Sequence, residues 1–108
     1  MKRKAIAFEG SSLDDLRNWP EASRQAAGYQ LDRVQQGLEP DDWKPFKTLG
    51  QGVREIRIAE DNGQWRILYV QIISNTVHVL HCFRKKTRKT AQADIDIARQ
   101  RFKIIRSK

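Results

Sequence analysis

Residues 53–70 read VREIRIAEDNGQWRILYV, a segment with strong strand and turn signals. Residues 53–59 alternate apolar with polar side chains, and residues 65–73 are β-branched and aromatic, so the pattern predicts two strands. Between them, Asn62-Gly63 is the strongest short hairpin signal, because both central positions of such a turn need a positive φ. We therefore predict an antiparallel hairpin with Asn62 and Gly63 at the centre of its turn.

Two more strands flank this hairpin. A third strand of the meander is predicted over residues 76–83, after a second tight turn centred on Ser74 and Asn75. Near the N-terminus, residues 4–8 have the pattern of a short strand, whereas residues 41–46 have the composition of a loop.

Helical periodicity marks three other segments. Ser12 with Asp15 resembles a capping box that opens a short helix, and Pro20 ends that helix and starts the next. The second helix, stopped by Gly37 and Pro40, has one predicted apolar face made of Ala27, Leu31, Val34 and Leu38. The last helix has Thr90 as its predicted N-cap. Its predicted apolar face is made of Ala91, Ile95, Ala98, Phe102 and Ile105.

The order of these elements is β-α-α-β-β-β-α, which predicts an α+β protein. Its length of 108 residues is that of one domain with a single modest core, so we predict one domain over residues 1–108. We expect the two N-terminal helices on one face of an antiparallel meander sheet and the C-terminal helix on the other.

The charge of the chain is concentrated in its second half. The formal net charge is +8; residues 1–42 contribute −2, residues 43–108 contribute +10, and residues 84–108 alone contribute +8. Clustered Lys and Arg between ordered elements are typical of a surface that binds phosphates. The sequence therefore predicts a polyanionic partner, most simply nucleic acid.

Other features exclude several classes of protein. A lone Cys82 excludes an internal disulfide and a multi-cysteine zinc site, and it fits the reducing cytoplasm. No apolar run approaches the roughly 20 residues needed to span a bilayer, and the N-terminus lacks the apolar segment of a signal peptide. We expect a cytoplasmic protein without a metal, a small-molecule cofactor or a membrane partner.

The two predicted turns fix a strand register and therefore a site. They pair Arg57 with Leu68, Ala59 with Arg66, Leu68 with His81, and Arg66 with Phe83. Because side chains alternate between faces, one face carries Glu55, Arg57, Arg66, Leu68, Val70, Val79, His81, Phe83 and Lys85. The opposite face carries Ile56, Ile58, Trp65, Ile67, Tyr69, His78, Leu80 and Cys82. The C-terminal helix then leaves a polar cluster uncovered at one end of the sheet, made of Glu55, Arg57, Arg66, His81 and Lys85.

This polar cluster suits metal-free cleavage of RNA. It has too few carboxylates for a two-metal site and no nucleophile for acyl transfer. In RNA the neighbouring 2′-hydroxyl is the nucleophile, so a protein need only move protons and stabilise the negative charge of the transition state. Arginine suits the second task, since its guanidinium binds phosphate in a bidentate manner.

Three motifs of the second half resemble a known family. Leu49-Gly50 with Val53-Arg54-Glu55-Ile56-Arg57 is similar to "G-x-W-E-L-R", and Trp65-Arg66-Ile67-Leu68-Tyr69 is similar to "Y-R-x-x-Y". Residues 79–90 are similar to "L-L-H-x-F-x-K-K-T-x-K-T-P". On these motifs the chain resembles the phage-derived, HigB-like branch of the RelE/ParE toxin superfamily. It departs from them at Arg54, where the branch usually has Trp, and at Ala91, where it usually has Pro.

The resemblance implies a microbial-RNase-like fold and a toxin of a type II toxin–antitoxin pair. It further implies a ribosome-dependent mRNA endonuclease that inhibits translation, with mRNA and ribosome as partners and a helix-turn-helix antitoxin. The expected catalytic residues are Glu55, Arg57, Arg66, His81, Lys85 and Lys86. The expected RNA-binding residues are Arg54, Arg84, Arg88 and Lys89.

Alternatives stay open at this point. Arg66 and Arg57 could simply pair with Glu55, Glu55 could orient a neighbour or act as a base, and His81 could be structural. We expect Arg66 to be exposed on the sheet face, so that Arg66→Ala leaves the fold intact. The rival functions are a ParE-like inhibitor of DNA gyrase and a basic nucleic-acid-binding module, neither of which is an enzyme.

Overall fold

A five-stranded sheet carries helices on both faces. The computed structural model describes residues 3–71 and 75–107. The strands are β1 (Ala5–Phe8), β2 (Trp43–Pro45), β3 (Val53–Glu60), β4 (Gly63–Val70) and β5 (Thr76–Lys85). The helices are α1 (Ser12–Arg17), α2 (Glu21–Gln35) and α3 (Gln92–Arg106). The order in the sheet is β1-β5-β4-β3-β2.

The predicted α+β class is confirmed, with two differences in the sheet. Strands β2 to β5 form the antiparallel meander, but β1 pairs with β5 in parallel, so the sheet is mixed. The prediction of a loop over residues 41–46 is wrong, because residues 43–45 pair with β3. A three-residue edge strand that contains Pro45 is too short to show a period of two.

The β3–β4 turn lies one residue earlier than predicted. Its central residues are Asp61 and Asn62, with φ of 51° and 56°, and Glu60 pairs with Gly63. As a result Arg57 pairs with Arg66, whereas the predicted pairs Arg57–Leu68 and Ala59–Arg66 are wrong. Moving a two-residue turn by one position shifts the pairing by two, and a shift of two keeps every side chain on its face.

The predicted β4–β5 register is confirmed for Leu68–His81 and Arg66–Phe83, and a bulge then changes it. Tyr69 pairs with Val79, so the ladder passes over Leu80. The faces predicted for Val79, Leu80 and His78 are therefore wrong: Val79 packs with α1 and α2, Leu80 packs with α3, and His78 pairs with Val70 on the α3 side. The predicted turn residue Ser74 and strand residues 72–73 lie outside the described residues, while Asn75 has a φ of 77°.

The two N-terminal helices cover one face of the sheet, as predicted. Leu16, Trp19 and three residues of α2 form a core with the inner face of β3 and β4. The α2 residues are Ala27, Leu31 and Val34; the fourth predicted one, Leu38, lies beyond the helix and is exposed. The predicted capping box is wrong: the N-cap of α1 is Ser11, whose hydroxyl donates to the Asp15 carboxylate and accepts no hydrogen bond from a backbone N–H of the helix.

Helix α3 covers only part of the other face. Ala98, Phe102 and Ile105 pack on a second core that includes Leu68, Leu80 and Phe83. Its N-cap is Ala91, so the prediction of Thr90 is wrong by one residue. The end of the sheet near the β3–β4 hairpin stays uncovered, which positions the site described next. None of the described helices is long and apolar enough to cross a membrane.

Candidate nucleic-acid interface

A groove opens between β2, β3, the end of β5 and the segment before α3. Its volume is about 340 Å³, and we call it the basic groove. It is lined by Lys44, Pro45, Phe46, Lys47, Thr48, Glu55, Arg57, Lys85 and Thr90. Four of these side chains are cationic and one is acidic, so the groove has the charge that attracts a phosphate.

Arg57 is the arginine of the basic groove. Its backbone N–H donates to the Asp42 carbonyl at 2.9 Å, which continues the β2–β3 pairing and sets the two side chains beside each other. The Arg57 Nε lies 3.3 Å from Asp42 Oδ1, and both side chains are solvent-accessible. Within the described part of the chain the guanidinium donates no hydrogen bond that meets normal geometry, so its donors are available to a ligand.

Arg66 and Glu55 form a buried ion pair behind Arg57. Arg66 is 7% exposed and Glu55 is 4% exposed, with Nε and Oε2 3.7 Å apart. Arg66 Nη1 also donates to the Trp65 carbonyl at 3.0 Å. Burial lowers the pKa of Arg66, and the Glu55 charge acts in the opposite direction. The prediction of an exposed Arg66 is therefore wrong; of this pair, only Glu55 lines the groove.

His81 is enclosed between β5 and the start of α3. It is 5% exposed, its Nε2 lies 2.8 Å from Asp94 Oδ1, and its ring stacks on Phe83 with centroids 4.9 Å apart. The sequence left a structural and a chemical role open, and this environment favours the structural one. His78, on the far part of β5, is held in the same way by Glu9 at 3.0 Å.

Residues 14–103 match the family described as phage-derived protein Gp49-like (DUF891). The chain belongs to this family. Among solved structures, the Gp49-like chain is similar to a double arginine-to-alanine mutant of the Escherichia coli toxin RelE in the free state. The TM-score is 0.64 at 16% identity, over 95% of this chain and 98% of that one, which shows a RelE-like fold. No curated protein matches the sequence.

The structure separates the two predicted catalytic lysines of the Gp49-like chain. Lys85 lines the basic groove, whereas Lys86 lines a neighbouring hollow with Arg84. Arg88 and Lys89 are exposed in the segment between β5 and α3. The basic run thus borders the groove as predicted, with Lys85 as the member inside it.

Arg54 lies on the opposite face of β3 from Glu55. Its Nη1 donates to the Glu39 carboxylate at 3.1 Å, and its guanidinium stacks on Trp43 at 4.1 Å. Arg54, one of the expected RNA-binding residues, is therefore not part of the basic groove, because neighbouring residues of a strand point to opposite faces.

Three residues of the groove region were missed by the sequence analysis. Lys44, Lys47 and Asp42 belong to β2 or its ends, a segment that has the composition of a loop. The available signal was the change from the acidic residues Asp41 and Asp42 to the basic residues Lys44 and Lys47. It lies just before the half of the chain that is predicted to form the strands. Without the β2–β3 pairing, nothing in the sequence places these charges next to Arg57.

Proposed function

We propose that this Gp49-like chain is the toxin of a type II toxin–antitoxin pair and cleaves mRNA on the ribosome without a metal ion. The observation that carries the proposal is the convergence of Lys44, Lys47, Arg57 and Lys85 on one phosphate-sized groove that also contains one carboxylate. The RelE-like fold and the Gp49-like family support the toxin assignment.

The groove residues have the chemistry that such cleavage needs. The 2′-oxygen of RNA attacks the adjacent phosphorus, the bond to the 5′-oxygen breaks, and a cyclic phosphate and a 5′-hydroxyl form. Glu55 is the one carboxylate in the groove lining and is our candidate for accepting the 2′-hydroxyl proton. Arg57 and Lys85 are placed to stabilise the charge on the phosphate oxygens, and Lys85 is the candidate for protonating the leaving oxygen.

Arg66 acts through Glu55 in this proposal. Its buried guanidinium, 3.7 Å from Glu55, compensates the carboxylate and holds it at the floor of the groove. Arg66 is therefore a positioning residue. His81 has no reacting role in the proposal, because its Nε2 is occupied by Asp94.

The charge of the chain supports the proposed partners. The net +8 of residues 84–108 suits the ribosome and its mRNA, and the exposed Arg88 and Lys89 extend the basic surface beyond the groove. The same surface suits a cognate antitoxin with an acidic segment, for which we propose a helix-turn-helix protein. The reaction places the protein in the cytoplasm.

Toe-printing of mRNA on ribosomes tests the proposal. We expect new reverse-transcription stops in the A site with the wild-type protein and none with Arg57→Ala, and we expect wild-type cleavage with Arg54→Ala, which removes an equal charge from the opposite face. If the wild type leaves mRNA intact but blocks DNA supercoiling by gyrase, the ParE-like alternative replaces this proposal.

A further inference from the structure

Phe46 lies on the same face of the sheet as Glu55 and Arg57. Its backbone N–H donates to the Val53 carbonyl at 2.8 Å, which extends the β2–β3 ladder by one residue and sets Phe46 opposite Val53. Side chains alternate between faces along a strand, so Val53, Glu55 and Arg57 share one face at steps of about 7 Å. Phe46, Glu55 and Arg57 therefore follow one another along this face, with Glu55 in the middle.

The Phe46 side chain is only partly buried. It packs against the second core, which includes Leu49 and Val53, and it also lines the basic groove. Among the described residues that line the groove, Phe46 is the one aromatic side chain. Apolar surface that a ligand covers contributes favourably to its binding, and unpaired RNA bases stack on aromatic rings. The groove thus offers a stacking surface next to its cationic side chains.

A ribonucleotide carries its functional groups in the same order as this face of the sheet. The base is attached to C1′, the 2′-hydroxyl to C2′ and the 3′-phosphate to C3′. With the 3′-phosphate at Arg57 and the 2′-hydroxyl at Glu55, the base lies toward Phe46. The opposite direction leads past Arg57 to the Asp42 carboxylate, which offers a base no apolar surface.

We propose that the Phe46 ring stacks on the base of the nucleotide on the 5′ side of the cleaved bond. The contact fixes the direction of the RNA strand in the basic groove and holds the attacking 2′-hydroxyl at Glu55. It uses the face of the base and not its edge, so it accepts any base. This inference rests on the proposed function, since it assigns the nucleotide that the same site positions.

Single-turnover cleavage of mRNA on programmed ribosomes tests the stacking contact. One mRNA is normal, and the other has an abasic ribose, with its 2′-hydroxyl intact, on the 5′ side of the cleavage point mapped with the wild type. Phe46→Leu keeps an apolar side chain on the second core but removes the ring, and Phe46→Tyr keeps the ring. Ile95→Ala is the matched control, because Ile95 is partly buried against the same core and is not among the residues that line the groove. Circular dichroism checks the fold of each variant.

We expect Phe46→Leu to cleave the normal mRNA about 5- to 100-fold more slowly than the wild type, whereas Phe46→Tyr and Ile95→Ala cleave it at the wild-type rate. The abasic ribose should slow the wild type by a similar factor and slow Phe46→Leu little further, because the ring and the base are two halves of one contact. A wild type that cleaves both mRNAs equally fast, or a Phe46→Leu that loses the same factor on both, would overturn the stacking contact and leave the proposed function standing. A wild type that leaves the normal mRNA intact on the ribosome would overturn the proposed function, and the contact with it.

Discussion

Arg57 and Arg66 lie directly opposite each other on β3 and β4. Two like charges in opposed positions destabilise a sheet, and here each has its own acidic neighbour: Asp42 for Arg57 and Glu55 for Arg66. The two arginines differ in burial, since Arg66 is enclosed and Arg57 faces the groove. In the proposed function, Arg57 contacts the substrate and Arg66 holds the site together, and each assignment has its own test.

Arg57→Ala should abolish activity without unfolding the protein. We expect a 10²- to 10³-fold loss of mRNA cleavage, as for the removal of one main transition-state contact. The free energy of unfolding should change by less than about 1 kcal/mol, because the Asp42 pair is exposed and the repulsion with Arg66 is relieved. Reporter mRNA cleavage and urea denaturation measure the two effects. A large loss of stability would show that Arg57 is structural.

Arg66→Ala should unfold the protein more readily as well as inactivate it. Removing one partner of a buried ion pair leaves the other charge uncompensated, which costs about 3–5 kcal/mol. Replacing both partners, as in Glu55→Gln/Arg66→Met, should recover most of that loss while cleavage stays absent. Urea denaturation of the two variants measures the difference. If the single variant is as stable as the wild type, the pair contributes nothing to the fold.

Asp42→Asn should strengthen RNA binding. The Asp42 carboxylate competes with a phosphate for Arg57, and an exposed ion pair is worth up to about 1 kcal/mol, so affinity should rise about two- to fivefold. Asp41→Asn is the matched control, since Asp41 contacts Arg33 and Gln30 instead. Anisotropy titrations at one salt concentration compare them. Weaker binding by Asp42→Asn would mean that Asp42 holds Arg57 in its binding orientation.

Asp94→Ala should destabilise the contact between α3 and β5. The variant leaves the buried His81 ring without its partner at 2.8 Å, a loss of about 1–3 kcal/mol. Asp96→Ala, two residues along the same helix and exposed, should change stability by less than about 0.5 kcal/mol. Cleavage per folded molecule should be unchanged in both variants. A loss of cleavage in Asp94→Ala but not in Asp96→Ala would indicate that His81 takes part in the reaction.

The protein should lose stability in alkaline solution. Burial raises the pKa of Cys82 from 9.0 to about 12, and burial also raises the pKa of Tyr69 above 10.0. The folded state therefore keeps protons that the unfolded state releases, so this stability is complete below about pH 9 and falls as the pH rises toward 12. Urea midpoints at pH 8, 9 and 10 measure the fall. Cys82→Ala should remove the part of the pH dependence of stability that is due to the thiol. An unchanged slope of stability against pH would contradict the assignment.

Sequence patterns were sufficient to predict which face of β3 and β4 each side chain occupies, but not for the first half of β5 and not for how deeply each side chain is buried. The Asn62-Gly63 signal was wrong by one position, yet Arg57 and Arg66 still share a face because a strand has a period of two. Whether Arg66 is exposed depends on its contacts with Glu55, Gln64 and Trp65, which the periodicity of a strand does not predict. The bulge at Leu80 depends on the packing of α3 and α1 on opposite faces, and β2 depends on its partner β3. These non-local contacts have no signature in a single segment.

The parallel pairing of β1 with β5 also determines when the RelE-like fold can form. Ala5 pairs with Thr76, so the first strand made has no partner until most of the chain has been synthesised. Contacts between such distant segments slow folding, because a long loop must close before they form. On a translating ribosome the nascent chain therefore passes through most of its synthesis without a complete sheet. We expect folding, and with it any toxicity to the ribosome that makes it, to be delayed until β5 has left the exit tunnel.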